Sequence, residues 1–130
     1  MILGFTGTQD GMTDRQKDAT HFWFAEFGIG GQLHHGDCLG ADEDAHDIAL
    51  SLGMEVYIHP PDNPSKRANC KGAKKVYMPK PYIMRNHNIV RMCERLIATP
   101  STDFETIRSG TWATVRFAKR QCVPVTLLKP

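Results

Sequence analysis

The chain has 130 residues, of which 41% are hydrophobic and 23% are charged, so one domain with a buried core is expected. Its formal net charge of +2 is too small to indicate a nucleic-acid or membrane-surface partner. No apolar stretch approaches the roughly 20 residues that a membrane-spanning helix needs. The four cysteines lack CxxC spacing, which is typical of reduced thiols and predicts a cytoplasmic protein.

Short apolar runs alternate with helical stretches along the chain, as in a parallel sheet covered on both faces. Five strands are predicted: Ile2–Phe5, Gln32–His35, Met54–His59, Arg95–Thr99 and Val123–Leu128. Four helices are predicted between them: Thr13–Phe27 with its capping box, Ala41–Leu52, a helix starting near Pro81, and Thr111–Arg120. Residues 60–80 contain four prolines and are predicted to form a long loop or lid.

Parallel strands joined by right-handed crossovers predict a single α/β domain, residues 1–130, with a Rossmann-like, doubly wound, five-stranded sheet. In the order 3-2-1-4-5 the chain reverses direction between the first and fourth strands. Ligands bind outside the carboxyl ends of strands at such a point. The turns that follow these strands should therefore share one crevice.

The turn around Ser109, Gly110 and Thr111 follows the fourth strand and opens a helix. Free N–H groups at the positive end of a helix dipole suit an anion, most often a phosphate. Ser109 and Thr111 add hydroxyl donors, and Gly110 lets a ligand approach the backbone. The alternative interpretation is structural, with Ser109 as an N-cap and Gly110 as a tight turn.

Two more turns of this kind lie upstream. The first follows the first strand and offers Thr6, Gly7 and Thr8, without the spacing of a dinucleotide or Walker motif. The second follows the second strand and offers Gly36, Asp37, Gly40 and Asp42. Its two aspartates either cap the next helix or accept hydrogen bonds from ribose hydroxyls.

The start of the third helix adds Arg85 and Asn86 to the predicted binding residues. An arginine offers a planar donor fork for phosphate or carboxylate, and an asparagine can bind an amide-like edge. Tyr82 could stack on a base. The alternative for this cluster is a solvated helix face with one aromatic ring packed down.

Five residues that lie close together in the sequence are of types that bind metals: His34, His35, Cys38, Asp42 and His46. Consecutive histidines on a strand point to opposite sides, and neither HExxH nor CxxC occurs. We therefore predict no metal and no cofactor.

Taken together, the stretch from Gly36 to His46, the Arg85–Asn86 pair and the Ser109–Thr111 turn resemble the SLOG superfamily. These Rossmann-like proteins are related to DNA-processing protein A and to the LOG-type phosphoribohydrolases. The resemblance spans nearly the whole chain. It implies a nucleotide or nucleotide-derived ligand, with its phosphate on the Gly110–Thr111 turn, and a homo-oligomer.

One departure from that pattern concerns catalysis. LOG-type enzymes and nucleoside deoxyribosyltransferases carry a glutamate three residues after the Gly-Thr pair, where this chain has Thr114. A threonine cannot act as a carboxylate nucleophile or base, so Glu105, Asp103 or Asp42 would have to substitute, and Glu105 and Asp42 are the preferred candidates. The resemblance therefore supports binding better than catalysis.

Three hypotheses follow from the sequence. The first is a small-molecule binding protein, a sensor or sequestering protein for a phosphorylated nucleotide-derived ligand. The second is an N-glycosidic hydrolase or deoxyribosyltransferase. The third, a DNA-binding recombination accessory, is disfavoured by the low net charge, and no membrane partner is expected.

Overall fold

Six parallel strands form the sheet of this protein, in the computed structural model of residues 1–130. The strands are β1 Ile2–Gly7, β2 Gln32–His35, β3 Glu55–Ile58, β4 Lys75–Val76, β5 Arg95–Thr99 and β6 Val125–Leu127. The helices are α1 Asp14–Phe27, α2 Ala41–Ser51, α3 Tyr82–Met92 and α4 Gly110–Arg120. The order β4-β3-β2-β1-β5-β6 reverses direction between β1 and β5. The α/β class and the reversal point are thus confirmed.

The predicted number of strands is wrong, because a sixth strand, β4, lies inside the segment expected to be a loop. Lys75 and Val76 pair in parallel with Tyr57 and Ile58 at the edge of the sheet. Both β4 residues are exposed, so two residues without a buried side chain leave no apolar pattern for a prediction to use. The same segment contains a short 3-10 helix, Pro64–Lys66.

Each face of the sheet carries its own apolar layer, and this packing holds the strands in register. One layer joins β1–β3 to α1 and α2 through residues such as Leu3, Phe5, Phe24, Leu33 and Ala45. The other joins β5 to α3 and α4 through Val90, Cys93, Leu96, Phe117 and Ala118. No helix in the structure is long and apolar enough to cross a membrane.

The helix starts agree only partly with the sequence predictions. Thr13 forms the predicted capping box with Gln16, whose side-chain amide also donates to the carbonyls of Pro100 (2.8 Å) and Leu128 (2.9 Å). Pro81 is the N-cap of α3 rather than its first residue. Cys122, just after α4, is exposed at a positive φ of 58°.

The start of α2 departs further from the expected capping by an aspartate. Gly40 is the N-cap of this helix, and no side chain caps it. Gly40 has a φ of 95°, which an L-residue rarely adopts, and this lets the turn pass close to the chain after β1. Asp37 and Asp42 therefore have other partners, described below.

Candidate functional site

A cleft of about 200 Å³ lies at the carboxyl ends of β1, β2 and β5, beside the start of α4. Five of its predicted residues come from the end of β1 and the turn after it (Thr6, Gly7 and Thr8) and from the turn after β2 and the start of α2 (Gly36 and Asp42). The helices α3 and α4 contribute five more: Arg85, Asn86, Ser109, Gly110 and Thr111. Ten of the twelve predicted binding residues therefore line one cleft at the reversal point of the sheet.

The first turn of α4 presents hydrogen-bond donors to this cleft. Ser109 is the N-cap, and its hydroxyl oxygen accepts the N–H of Trp112 at 3.2 Å. The N–H groups of Gly110 and Thr111 have no protein acceptor, as expected for the first residues of a helix. Together with the helix dipole they can bind an anion.

The glycines around the cleft differ in whether the structure leaves room for a side chain. A side chain at Gly7 would overlap Thr99 and Ala41, and one at Gly36 would overlap the Arg85 guanidinium. Gly110 differs, since a Cβ there would meet no atom within 4 Å and its φ is not positive. Neither packing nor backbone conformation requires glycine at this position, which lines the cleft.

Arg85 is 4% exposed, and most of its donors are already bound within the protein. Nη1 donates to the carbonyls of Gly36 (2.5 Å) and His59 (3.2 Å), and Nε donates to Asn86 Oδ1 (2.7 Å). Nη2 has one contact, with Cys38 Sγ at 3.5 Å. The guanidinium therefore contributes positive charge to the cleft and at most one free N–H to a ligand.

Asp42 lines the cleft and is 6% exposed. Its Oδ2 accepts the backbone N–H of Cys38 at 3.1 Å. Burial raises the pKa of Asp42 to about 6, and the nearby Arg85 guanidinium opposes that rise. A buried acid with a pKa close to neutrality is a common feature of functional sites.

Two predicted binding residues, Asp37 and Gly40, lie outside the cleft. The Asp37 carboxylate accepts Arg67 Nε at 2.9 Å and the backbone N–H of Cys70 at 3.0 Å. Its carbonyl accepts the N–H of Ala68 at 2.7 Å. Asp37 thus fixes the segment 66–70, the part of the chain that was expected to form a lid.

The alternative acid Glu105 is also away from the cleft. It is exposed and pairs with Arg116 at 2.8 Å. Thr114, at the position of the glutamate in LOG-type enzymes, donates its hydroxyl to the carbonyl of Gly110 at 2.9 Å. Of the candidate acids Glu105, Asp103 and Asp42, only Asp42 lines the cleft.

Sequence reasoning assigned no binding role to three polar residues of the cleft, Gln9, Cys38 and Ser101. Each follows the end of a strand, so the rule that predicted the crevice could have included them. Burial raises the pKa of the Cys38 thiol, which argues against a reactive thiolate. The Tyr82 hydroxyl is buried near Cys38 without a well-formed hydrogen bond, so it can still bind a ligand.

Behind the cleft, His35 and His46 form a buried pair with Nε2···Nδ1 at 2.9 Å. Asp37 N–H donates to His35 Nδ1, so His35 carries its proton on Nε2 and donates to His46. His46 Nε2 then donates to the carbonyl of Lys71 at 2.6 Å. Cys70 lies beside this pair, but a metal would have to displace the proton that His35 shares with His46.

No protein-family model matches the chain, and a comparison with curated proteins finds no match. Solved structures do match. The molybdenum cofactor binding protein of the phototrophic bacterium Rippkaea orientalis aligns with a TM-score of 0.75 at 21% identity, over 99% of this chain and 76% of that one. The Moco carrier protein of Chlamydomonas reinhardtii aligns with a TM-score of 0.70 at 21% identity, over 99% and 76%.

DNA processing protein A of Streptococcus pneumoniae aligns with a TM-score of 0.71 at 18% identity, over 96% of this chain and 49% of that one. All three have SLOG-type Rossmann-like folds. The Rossmann-like fold that the resemblance implies is therefore confirmed.

Proposed function

We propose that this protein binds a nucleotide or a nucleotide-derived phosphorylated small molecule in the cleft, with the phosphate on the first turn of α4. In this proposal it is a cytoplasmic binding protein that senses, sequesters or carries its ligand. The donors of the site are the N–H groups of Gly110 and Thr111 and the hydroxyls around them.

The observation that carries the proposal is the open face of Gly110. A glycine in the first turn of a helix destabilises that helix relative to alanine unless its conformation or its surroundings require it. Here a Cβ would meet no protein atom within 4 Å, and the residue lines the cleft. A ligand that approaches the backbone accounts for a glycine at this position.

The charge of the cleft supports an anionic ligand. All the groups bonded to the buried Arg85 guanidinium are neutral: two carbonyls, an amide oxygen and a thiol. A buried cation is unfavourable unless negative charge compensates it. Asp42 can supply part of that compensation, and a phosphate beside α4 would supply more.

The structural neighbours widen the set of ligands to test. Two of them are named for binding or carrying the molybdenum cofactor. This cofactor therefore belongs with the nucleoside phosphates in the first ligand panel. A ligand that co-purifies with the protein and is identified by mass spectrometry would select among them.

The test of the proposed phosphate position is Gly110→Val, measured by calorimetry with the ligand so identified. A branched side chain would block both N–H groups, and losing two hydrogen bonds to a charged group predicts an affinity lower by about 100-fold or more. The control is Ala113→Val, which adds the same side-chain type at an exposed position of α4. Unchanged affinity in a folded Gly110→Val protein would remove this turn from the site.

A second candidate is glycosidic-bond cleavage, as in the similar hydrolases and deoxyribosyltransferases, and the observation that favours it is the position of Asp42. An acid with a pKa near 6 in a cleft is suited to proton transfer. The test follows the release of free base from a panel of nucleoside monophosphates. Turnover by the wild type that Asp42→Asn abolishes would establish an enzyme.

DNA binding is the least supported alternative. Among the basic residues of the segment 60–80, Arg67 pairs with the buried Asp37 and Lys74 pairs with Glu55. These pairs reduce the charge free for phosphate contacts. The homo-oligomer remains part of the proposal, and light scattering on the purified protein tests it.

A further inference from the structure

Asp42 and Arg85 both line the cleft, yet they form no ion pair with each other. Both lie beside Gly36, because its carbonyl accepts from Arg85 Nη1 and a Cβ added to it would lie 3.0 Å from Asp42 Oδ2. An aspartate is an acceptor with about four lone-pair sites. With Cys38 N–H on Oδ2, its carboxylate can still accept from a ligand.

The cleft therefore presents two different kinds of polar group to a ligand. Near the start of α4 the cleft presents the backbone N–H groups of Gly110 and Thr111 and the hydroxyl of Ser109. It also presents the carboxylate of Asp42, which is more than nine-tenths buried. Because both groups lie in the same cleft of about 200 Å³, an anion bound near the start of α4 and an ionised Asp42 carboxylate repel each other.

We propose that Asp42 is the specificity-determining residue of the cleft, so that the site accepts an anion whose other end offers a hydrogen-bond donor to Asp42. An anion without such a donor is bound together with a proton on Asp42. This inference rests on the proposed anion site at α4 and adds what the other end of the ligand must contain, which is a hydroxyl, an amine or an amide N–H.

The charged and titratable groups around Asp42 agree with this coupling. Arg85 from α3 favours the ionised carboxylate, and Asp37 from the turn after β2 disfavours it. Cys38 and Cys70 are thiols whose pKa values are raised by burial, so they contribute no charge near neutral pH. With the pKa of Asp42 at about 6, a second anion would draw a proton onto it between pH 6 and pH 8.

The test uses two probe anions and the variant Asp42→Asn, which preserves shape and an acceptor oxygen. Sulfate has no donor and does not titrate between pH 5.5 and 8. Phosphoethanolamine carries a phosphate and an ammonium donor. Affinities are measured by calorimetry at pH 6 and pH 8 for the wild type, for Asp42→Asn, and for the exposed control Glu43→Gln on the same helix.

For the wild type, sulfate affinity should rise about fivefold or more from pH 8 to pH 6, because the proton is taken up with the anion. Asp42→Asn should bind sulfate at pH 8 as tightly as the wild type does at pH 6, with less than about twofold pH dependence. The same variant should bind phosphoethanolamine at pH 8 about fivefold more weakly, because a hydrogen bond between charged groups is lost. Glu43→Gln should behave as the wild type.

Opposite signs for the two probes in one variant are the signature of the proposed role. If Asp42→Asn keeps the wild-type pH dependence, or binds both probes more tightly, the role of Asp42 is overturned while the anion site stands. If sulfate shows no saturable binding to any form, or binds Gly110→Val as well as the wild type, the anion site itself is overturned.

Discussion

The turn after β2 and the turn before α4 look alike in sequence but are built for different purposes. Both follow a parallel strand, contain glycine, and open a helix. In the first, Gly36 and Gly40 contact other parts of the protein so closely that no side chain fits. In the second, Gly110 has open space beside it and the backbone donors are unpaired.

This difference teaches that a glycine-rich turn does not by itself indicate a ligand. The turn after β2 is held by Arg85 and His35, and it anchors the segment 66–70 through Asp37. The turn before α4 has few internal partners, so a ligand can use its polar groups. The three predictions below separate a packing turn from a binding turn.

The largest expected effect is the loss of stability in Gly40→Ala. The Cβ would overlap the carbonyl of Gln9 at a φ of 95°, so the free energy of unfolding should fall by about 2–4 kcal/mol. Gly110→Ala should leave it unchanged or raise it by up to about 1 kcal/mol. Urea unfolding followed by circular dichroism measures both.

Gly53→Ala is the matched control for Gly40, because Gly53 has a φ of 73° but open space around it. It isolates the backbone strain, about 1–2 kcal/mol, from the steric overlap. If Gly40→Ala proves no worse than Gly53→Ala, the turn after β2 is not tightly packed and the comparison fails.

The second largest effect on the free energy of unfolding is expected for Arg85→Ala. Its removal leaves the carbonyls of Gly36 and His59 without their donor, so unfolding should become easier by about 2–3 kcal/mol. Arg91→Ala, on the exposed side of the same helix, should lose less than about 1 kcal/mol. Equal stabilities with a selective loss of phosphate affinity would instead assign Arg85 to the ligand.

The smallest effect of a single side chain is the contribution of His35, at the packing turn, to a loss of stability in acid. Burial lowers the pKa of His35 to about 3, so below pH 6.5 the unfolded chain binds a proton that the folded protein excludes. From pH 7 to pH 5 this predicts a loss of roughly 2 kcal/mol from His35. His34 and His59, with pKa values lowered by burial to about 4 and about 3, act in the same direction.

Asp42 opposes this loss, because its raised pKa of about 6 makes the folded protein take up a proton as the pH falls from 7 to 5. This uptake raises the free energy of unfolding by about 1 kcal/mol. Urea midpoints at pH 7 and pH 5 measure the net slope. His35→Asn should reduce the slope, while His21→Asn, on the exposed side of α1, should not. An unchanged slope in His35→Asn would contradict the assignment.

Much of the fold could be predicted because its signals are local. The strands Gln32–His35 and Arg95–Thr99 and the capping box at Thr13 agree with the structure, since apolar runs and cap residues determine them. The strand Lys75–Val76 could not be predicted, because backbone pairing with β3 forms it without any buried side chain.

The candidate site shows the same division. The predicted strand order was enough to place ten of the predicted residues in one cleft, because the topology determines which turns meet. It could not show that Arg85 is largely bound to backbone carbonyls or that Asp37 faces away from the cleft. Those contacts join residues 26 to 49 positions apart, and no local pattern encodes them.

The hydrogen-bond chain from Asp37 through His35 and His46 to the carbonyl of Lys71 also has a spectroscopic consequence. Each ring holds one proton on a defined nitrogen, and both rings are buried from solvent. Such protons exchange slowly and resonate far downfield of the amide region in proton NMR spectra. The protein therefore contains two native reporters behind the cleft, and their chemical shifts would register ligand binding without any added label.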